Sequence, residues 1–137
     1  MTTLNTLCRA PRAFVLAAAV LAAPVTGAQA ADIAAGKALV EKANCAACHG
    51  ADMKTPIAPE YPKLAGQHES YLYHALVAYQ ISGNPQVGRA NAIMQGQVNA
   101  NPGIVGKDGK PRPFTRQELR DMAAYISSLR GDLVLKK

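Results

Sequence analysis

Apolar positions recur at helical spacing in three stretches of the chain. In the first, Ile33, Gly36, Val40 and Ala43 fall near one face, and Asp32 stands where a cap belongs, which predicts a helix from Ile33 to about Asn44. In the second, Leu72, Ala75, Leu76 and Tyr79 share a face and predict a helix from His68 to Ile81, ended by Ser82-Gly83-Asn84-Pro85. In the third, Leu119, Met122, Ala123, Ile126 and Leu129 keep the same spacing. Thr115-Arg116-Gln117-Glu118 opens that helix as a capping box, Arg130 suits its C-terminal dipole, and Gly131 is the expected C-cap. No strand-period alternation and no internal repeat interrupt this pattern, so the expected fold is all-α with three main helices.

The stretches between the helices are rich in breakers. Residues 50–66 hold Gly50, Pro56, Pro59, Pro62 and Gly66, a density of proline that forbids a regular helix or a central strand and predicts a fixed loop wrapped around something. Residues 83–114 are again rich in Gly, Pro and Asn, with turns at Asn101-Pro102-Gly103 and Lys107-Asp108-Gly109-Lys110. A loop of that length in a small domain needs a functional reason and a cofactor to pack on. Gly36 lowers helix stability by ~1 kcal/mol relative to Ala. Close backbone contact with another helix is a physical reason to keep it; a tolerated glycine near a helix start is the alternative.

A different apolar pattern occupies the N-terminus. Arg9 and Arg12 precede an apolar run from Ala13 to Ala23, Pro24 and Gly27 break it, and Ala28-Gln29-Ala30 offers small residues to an export peptidase. Residues 1–30 therefore read as a secretory signal peptide cut before Ala31, with residues 31–137 as one small domain. The run is shorter than the ~20 apolar residues of a bilayer span. Losing two arginines takes the formal charge from +6 to +4. That mild basicity, without a long Lys/Arg run, argues against nucleic acid and allows a modest preference for an acidic protein surface. Of the three cysteines, Cys8 leaves with the leader and only Cys45 and Cys48 remain. In an oxidising compartment a lone close pair is a disulfide or a cofactor attachment.

The histidine immediately after that pair decides between the two. Cys45-Ala46-Ala47-Cys48-His49 is the attachment signature of a c-type haem: each thiol adds across one vinyl group, and the next residue lies under the iron. A porphyrin also supplies apolar bulk to a chain with no Trp and 5% aromatics. The sixth iron position is filled by methionine, by histidine, or by nothing. Met53 is too near His49 to cross to the opposite face, and Met122 lies on the apolar stripe of the last helix. Met94, 45 residues after His49, is the methionine free to approach from the far side. His68 and His74 have polar neighbours and read as solvated.

The ordered set Cys45-Ala46-Ala47-Cys48-His49-Gly50, Tyr61-Pro62-Lys63-Leu64-Ala65-Gly66-Gln67-His68, Asn91-Ala92-Ile93-Met94 and Ala123-Ala124-Tyr125 resembles a class I c-type cytochrome of the small soluble bacterial monohaem kind. The resemblance implies the cytochrome c fold around one covalent haem, with Cys45 and Cys48 in thioethers and His49 and Met94 as iron ligands. It places Pro59 where the family supplies a backbone carbonyl to the proximal imidazole. It also makes Gly36 the crossing point of the first helix over the last, near Tyr125. Arg89 is a candidate for a haem propionate, with a plain surface role as the alternative. Residues 99–114 depart from the pattern, being longer and more turn-rich than the usual lead into the last helix. Filled axial positions describe an electron carrier, not an enzyme. The expected role is a periplasmic, monomeric carrier between redox partner proteins such as a respiratory complex, an oxidase or a dehydrogenase, touching membranes only through them. Lys54 and Lys63 are candidates for steering an acidic partner. A cytochrome subunit of a larger complex, and a haem sensor or peroxidase with a labile Met94, are the rival expectations. A dithiol oxidoreductase would need a βαβ pattern that the sequence lacks.

Overall fold

The computed structural model describes residues 29–81, 84 and 86–132. Residues 1–28 of the expected leader, Cys8 among them, and the last five residues lie outside these. Among the described residues no helix is long and apolar enough to cross a membrane.

Among the described residues, three of the five helices begin where a side chain satisfies free N–H groups of the first turn. Asp32 accepts from the backbone of Ala34 and Ala35 at 2.8 and 3.0 Å and opens α1, Ile33–Lys42. A turn through Asn44, at φ 53°, leads directly into the one-turn helix α2, Ala46–His49. The second long helix, α3, runs Glu69–Gln80. Asn91 caps α4, Ala92–Ala100, by accepting from Met94 N at 2.9 Å. The expected capping box is formed in full at the start of α5, Arg116–Ser128: Thr115 accepts from Glu118 N and Glu118 accepts from Thr115 N.

The all-α expectation is met, and two shorter helices, α2 and α4, join the three expected ones. Nine residues inside the breaker-rich 83–114 stretch are helical: Asn91 caps them, and Val98 among them is buried at 2% exposure. Residues 104–112 fold into a small hairpin, with Gly106 N donating to Lys110 O, Arg112 N to Ile104 O, and an antiparallel bridge between Val105 and Pro111.

The core lies where α1 crosses α5. Val40 and Ala43 pack into one buried cluster with Leu119, Met122, Ala123 and Ile126. α3 packs on α5 as well, and α4 on α3. The close-contact reading of Gly36 is correct: a Cβ there would stand 2.0 Å from the Asp121 carbonyl oxygen. The crossing therefore falls at Asp121 and Met122, one turn before Tyr125, because that is where the two backbones touch. Gly131 is not a C-cap. α5 ends at Ser128 with extended Leu129, no basic residue lies in its last turn, and Gly131 is small because Ala65 packs on it.

Candidate functional site

The turn after α1 sets the geometry of the Cys45–His49 motif. Cys45 N donates to Val40 O at 3.2 Å, and Cys45 itself has helical dihedrals as the residue before α2. Residues 45, 48 and 49 are thus spaced i, i+3 and i+4 along one helical turn and share a face. Both cysteines are free thiols and half-buried. Burial pushes the Cys45 thiol up to about 11, so it is protonated at neutral pH.

His49 is 5% exposed and its Nδ1 lies 2.9 Å from a backbone carbonyl oxygen. A carbonyl can only accept, so Nδ1 carries the proton and Nε2 keeps its lone pair for a metal. The carbonyl is that of Pro62, which corrects the expectation of Pro59. Between the two prolines, Tyr61 N donates to Ala58 O and the chain turns, so that Pro62 rather than Pro59 faces the ring, whose edge also meets Tyr61 at 6.2 Å between centroids. Both prolines are plain in the sequence; only the turn distinguishes them.

The loop that carries Pro62 is held at both ends. Met53, buried and at φ 58°, accepts at its carbonyl from Leu64 N at 2.7 Å and Ala65 N at 2.9 Å, and Gly66 N donates to Ile126 O at 3.2 Å. Ile57 N donates to Cys48 O at 3.1 Å, closing the loop back onto the motif. A Cβ at Gly50 would collide with Thr55 O at 2.1 Å, and φ there is 83°. The glycine after the histidine is thus required by the turn itself.

Met94 sits in the first turn of α4, half-buried, beside exposed Ile93. Met122 is core, at 3% exposure. Arg89 is held between two tyrosines of α3, with its guanidinium 5.4 Å from the Tyr71 ring centre and 5.5 Å from that of Tyr79, and it donates to Tyr71 Oη at 3.1 Å. These contacts, the Tyr71 hydrogen bond foremost, raise its pKa further, so it is a fixed cation. His68 and His74 line a surface groove with Tyr73 and Arg120, and neither His49 nor Met94 lines it. Lys54 and Lys63 are both paired with Asp132, at 3.6 and 2.8 Å.

Two thiols and an oriented imidazole on one turn fit a covalently held haem. Asn101, buried near this turn, carries no signal of that place in the sequence, where it reads only as part of a turn.

Comparison with known proteins points the same way. The sequence model of the family described as "Cytochrome c" matches residues 33–130. The chain is similar to cytochrome c4 from Stutzerimonas stutzeri, 38% identical over 106 residues covering 74% of this chain and 43% of that protein. It is similar to cytochrome c4 from Pseudomonas aeruginosa, 50% identical over 97 residues covering 71% and 38%. It is also similar to cytochrome c-554(548) from Halomonas halodenitrificans, 33% identical over 97 residues covering 71% and 95%. The crystal structure of reduced recombinant cytochrome c4 from Pseudomonas stutzeri superposes with a TM-score of 0.57 at 37% identity, covering 76% of this chain and 48% of that one. The chain thus spans less than half the length of the cytochrome c4 proteins it matches.

Proposed function

Because the chain belongs to the cytochrome c family, we propose that it is an exported single-electron carrier built on one covalently held haem. One Cys-x-x-Cys-His motif is present in the sequence, which supports a single attachment site. Cys45 and Cys48 would hold the haem through thioethers, and His49, through Nε2, and the Met94 sulfur would be its iron ligands. When bound, the haem supplies a one-electron change at iron. The protein's residues decide how readily it happens.

The observation that carries this reading is the 2.9 Å bond between His49 Nδ1 and the Pro62 carbonyl. It fixes the tautomer and the ring plane and makes the imidazole a better donor. A thioether from Met94 works in the other direction, favouring the ferrous state and raising the potential. His49 and Met94 together would leave the iron no open position for a substrate, which suits a carrier rather than a catalyst. Arg89 offers a permanent cation to a haem propionate. The basic balance of the chain favours acidic redox proteins as partners, and small, weak interfaces suit such transient encounters. The leader over residues 1–30 supports export to the periplasm, cut before Ala31.

Absorption spectra of oxidised and reduced protein, made in a host that attaches haem, test this directly. One haem per chain is expected, with a methionine–iron band in the oxidised form that disappears in Met94→Ala. Colourless wild-type protein would refute the proposal, as would a Met94→Ala spectrum and midpoint identical to wild type.

A further inference from the structure

The departure from the family pattern at residues 99–114 has a structural counterpart. Asn101, where α4 ends, is 3% exposed and every polar atom of its amide is used. Its Nδ2 donates to Ala43 O at 3.0 Å and to Gln97 Oε1, and its Oδ1 accepts from Gly103 N at 2.8 Å. Ala43 lies two residues before Cys45. Gly103 is pressed on the end of α1, where a Cβ would stand 2.2 Å from Lys42 O, and the next residue, Ile104, is 2% exposed. The root of the hairpin is thus seated on the turn that enters the haem-attachment motif.

The same residue closes the helix whose first turn bears Met94. The other side-chain bonds of α4 lead elsewhere: Asn99 Nδ2 to Tyr79 O at 3.3 Å and Gln95 Nε2 to Arg89 O at 2.8 Å. Among the described residues, the hydrogen bond from Asn101 to Ala43 is the one that joins the end of α4 to residues 43–49. A buried amide that loses its partners leaves the Ala43 carbonyl and the Gly103 N–H unsatisfied, an expensive outcome away from water.

We propose that Asn101 is a positioning residue for the sulfur ligand: it ties the end of the Met94 helix to the turn before Cys45, and so keeps the sixth iron position closed to outside ligands. The inference rests on Met94 being that ligand. An α-helix is stiff along its axis, with a rise of ~1.5 Å per residue, so anchoring one end constrains the other about two turns away. The hairpin after α4 supplies Gly103 and Ile104 to hold the anchor in place.

Imidazole binding to the ferric holoprotein, followed by absorption, tests this. The apparent affinity for an outside ligand scales with the fraction of molecules whose own ligand is off. Asn101→Ala is expected to bind imidazole about tenfold more tightly than wild type, equivalent to about 1.4 kcal/mol, and less tightly than Met94→Ala. Leu119→Ala, which loosens the α1–α5 core without touching this bond, should lower the melting temperature and leave imidazole affinity within about twofold of wild type. If Asn101→Ala does not yield folded holoprotein, Asn101→Ser, too short to reach Ala43, is measured in its place with the same expectation. An asparagine variant that matches wild type while Met94→Ala tightens overturns this inference alone. An unchanged Met94→Ala overturns the ligand assignment and the inference with it. Equal tightening in Leu119→Ala overturns it too, as generic loosening.

Discussion

Gly36→Ala isolates the contact on which the α1–α5 core depends. Two effects of opposite sign compete. In a helix interior alanine is favoured over glycine by ~1 kcal/mol. Against that, the new Cβ would stand 2.0 Å from Asp121 O, 2.4 Å from Asp121 C and 3.0 Å from Met122 N, all backbone atoms of α5 that no rotamer change can move. The helices must part by about 1 Å, and Val40, Leu119 and Ala123, at 2%, 0% and 0% exposure, lose their close contacts together. Overpacking of this kind costs ~1–3 kcal/mol, occasionally more. Rigid backbone on both sides puts Gly36→Ala at the upper end, near 3 kcal/mol, for a net loss of about 2 kcal/mol. For a domain of this size that lowers the melting temperature by roughly 8–16 °C. Thermal unfolding followed by far-ultraviolet circular dichroism measures it. A variant as stable as wild type, or more so, would mean that propensity outweighs the contact and would refute the reasoning.

Two further outcomes arise from the charged groups. Glu118 is held down to about 2, first by its hydrogen bonds from Arg112, at 2.7 and 2.8 Å, and then by the Thr115 backbone. A carboxylate depressed in the folded state stabilises above its ordinary value of 4.5, and that stability is lost as pH falls towards about 2. Discounted for solvent screening, Glu118→Gln should cost about 1 kcal/mol at pH 7; the difference from wild type should shrink between pH 4.5 and 2, and a pH-independent difference in denaturant titrations would count against the pairing. Asp132 pairs with both Lys54 and Lys63, so Asp132→Asn should release two cations and speed association with an anionic redox protein in stopped-flow at low ionic strength, with the gain lost at high salt. An unchanged rate at low salt would show that these lysines do not face the partner.

Short-range chemistry is legible along the chain. Asp32, the Thr115–Glu118 box and the spacing of Leu119, Met122, Ala123 and Ile126 place α1 and α5 to within about two residues, because caps and periodicity act over one or two turns. The Cys45–His49 turn is equally local, and its thiols and imidazole share a face by helical spacing alone. α4 is not legible in the same way, because nine residues among Gly, Pro and Asn carry a weak period, and its helicity depends on burying Val98 as α4 packs on α3.

Three things needed the folded molecule. Pro62 rather than Pro59 accepts from His49, since a turn between them selects which carbonyl faces the ring. Gly131 is fixed by Ala65, 66 positions earlier, and not by the helix before it. Asn101 reaches Ala43 across 58 residues of chain. Proline, glycine and asparagine each announce a turn when read locally. Which backbone each one meets is settled only when distant segments are packed together and every buried polar group must find a partner.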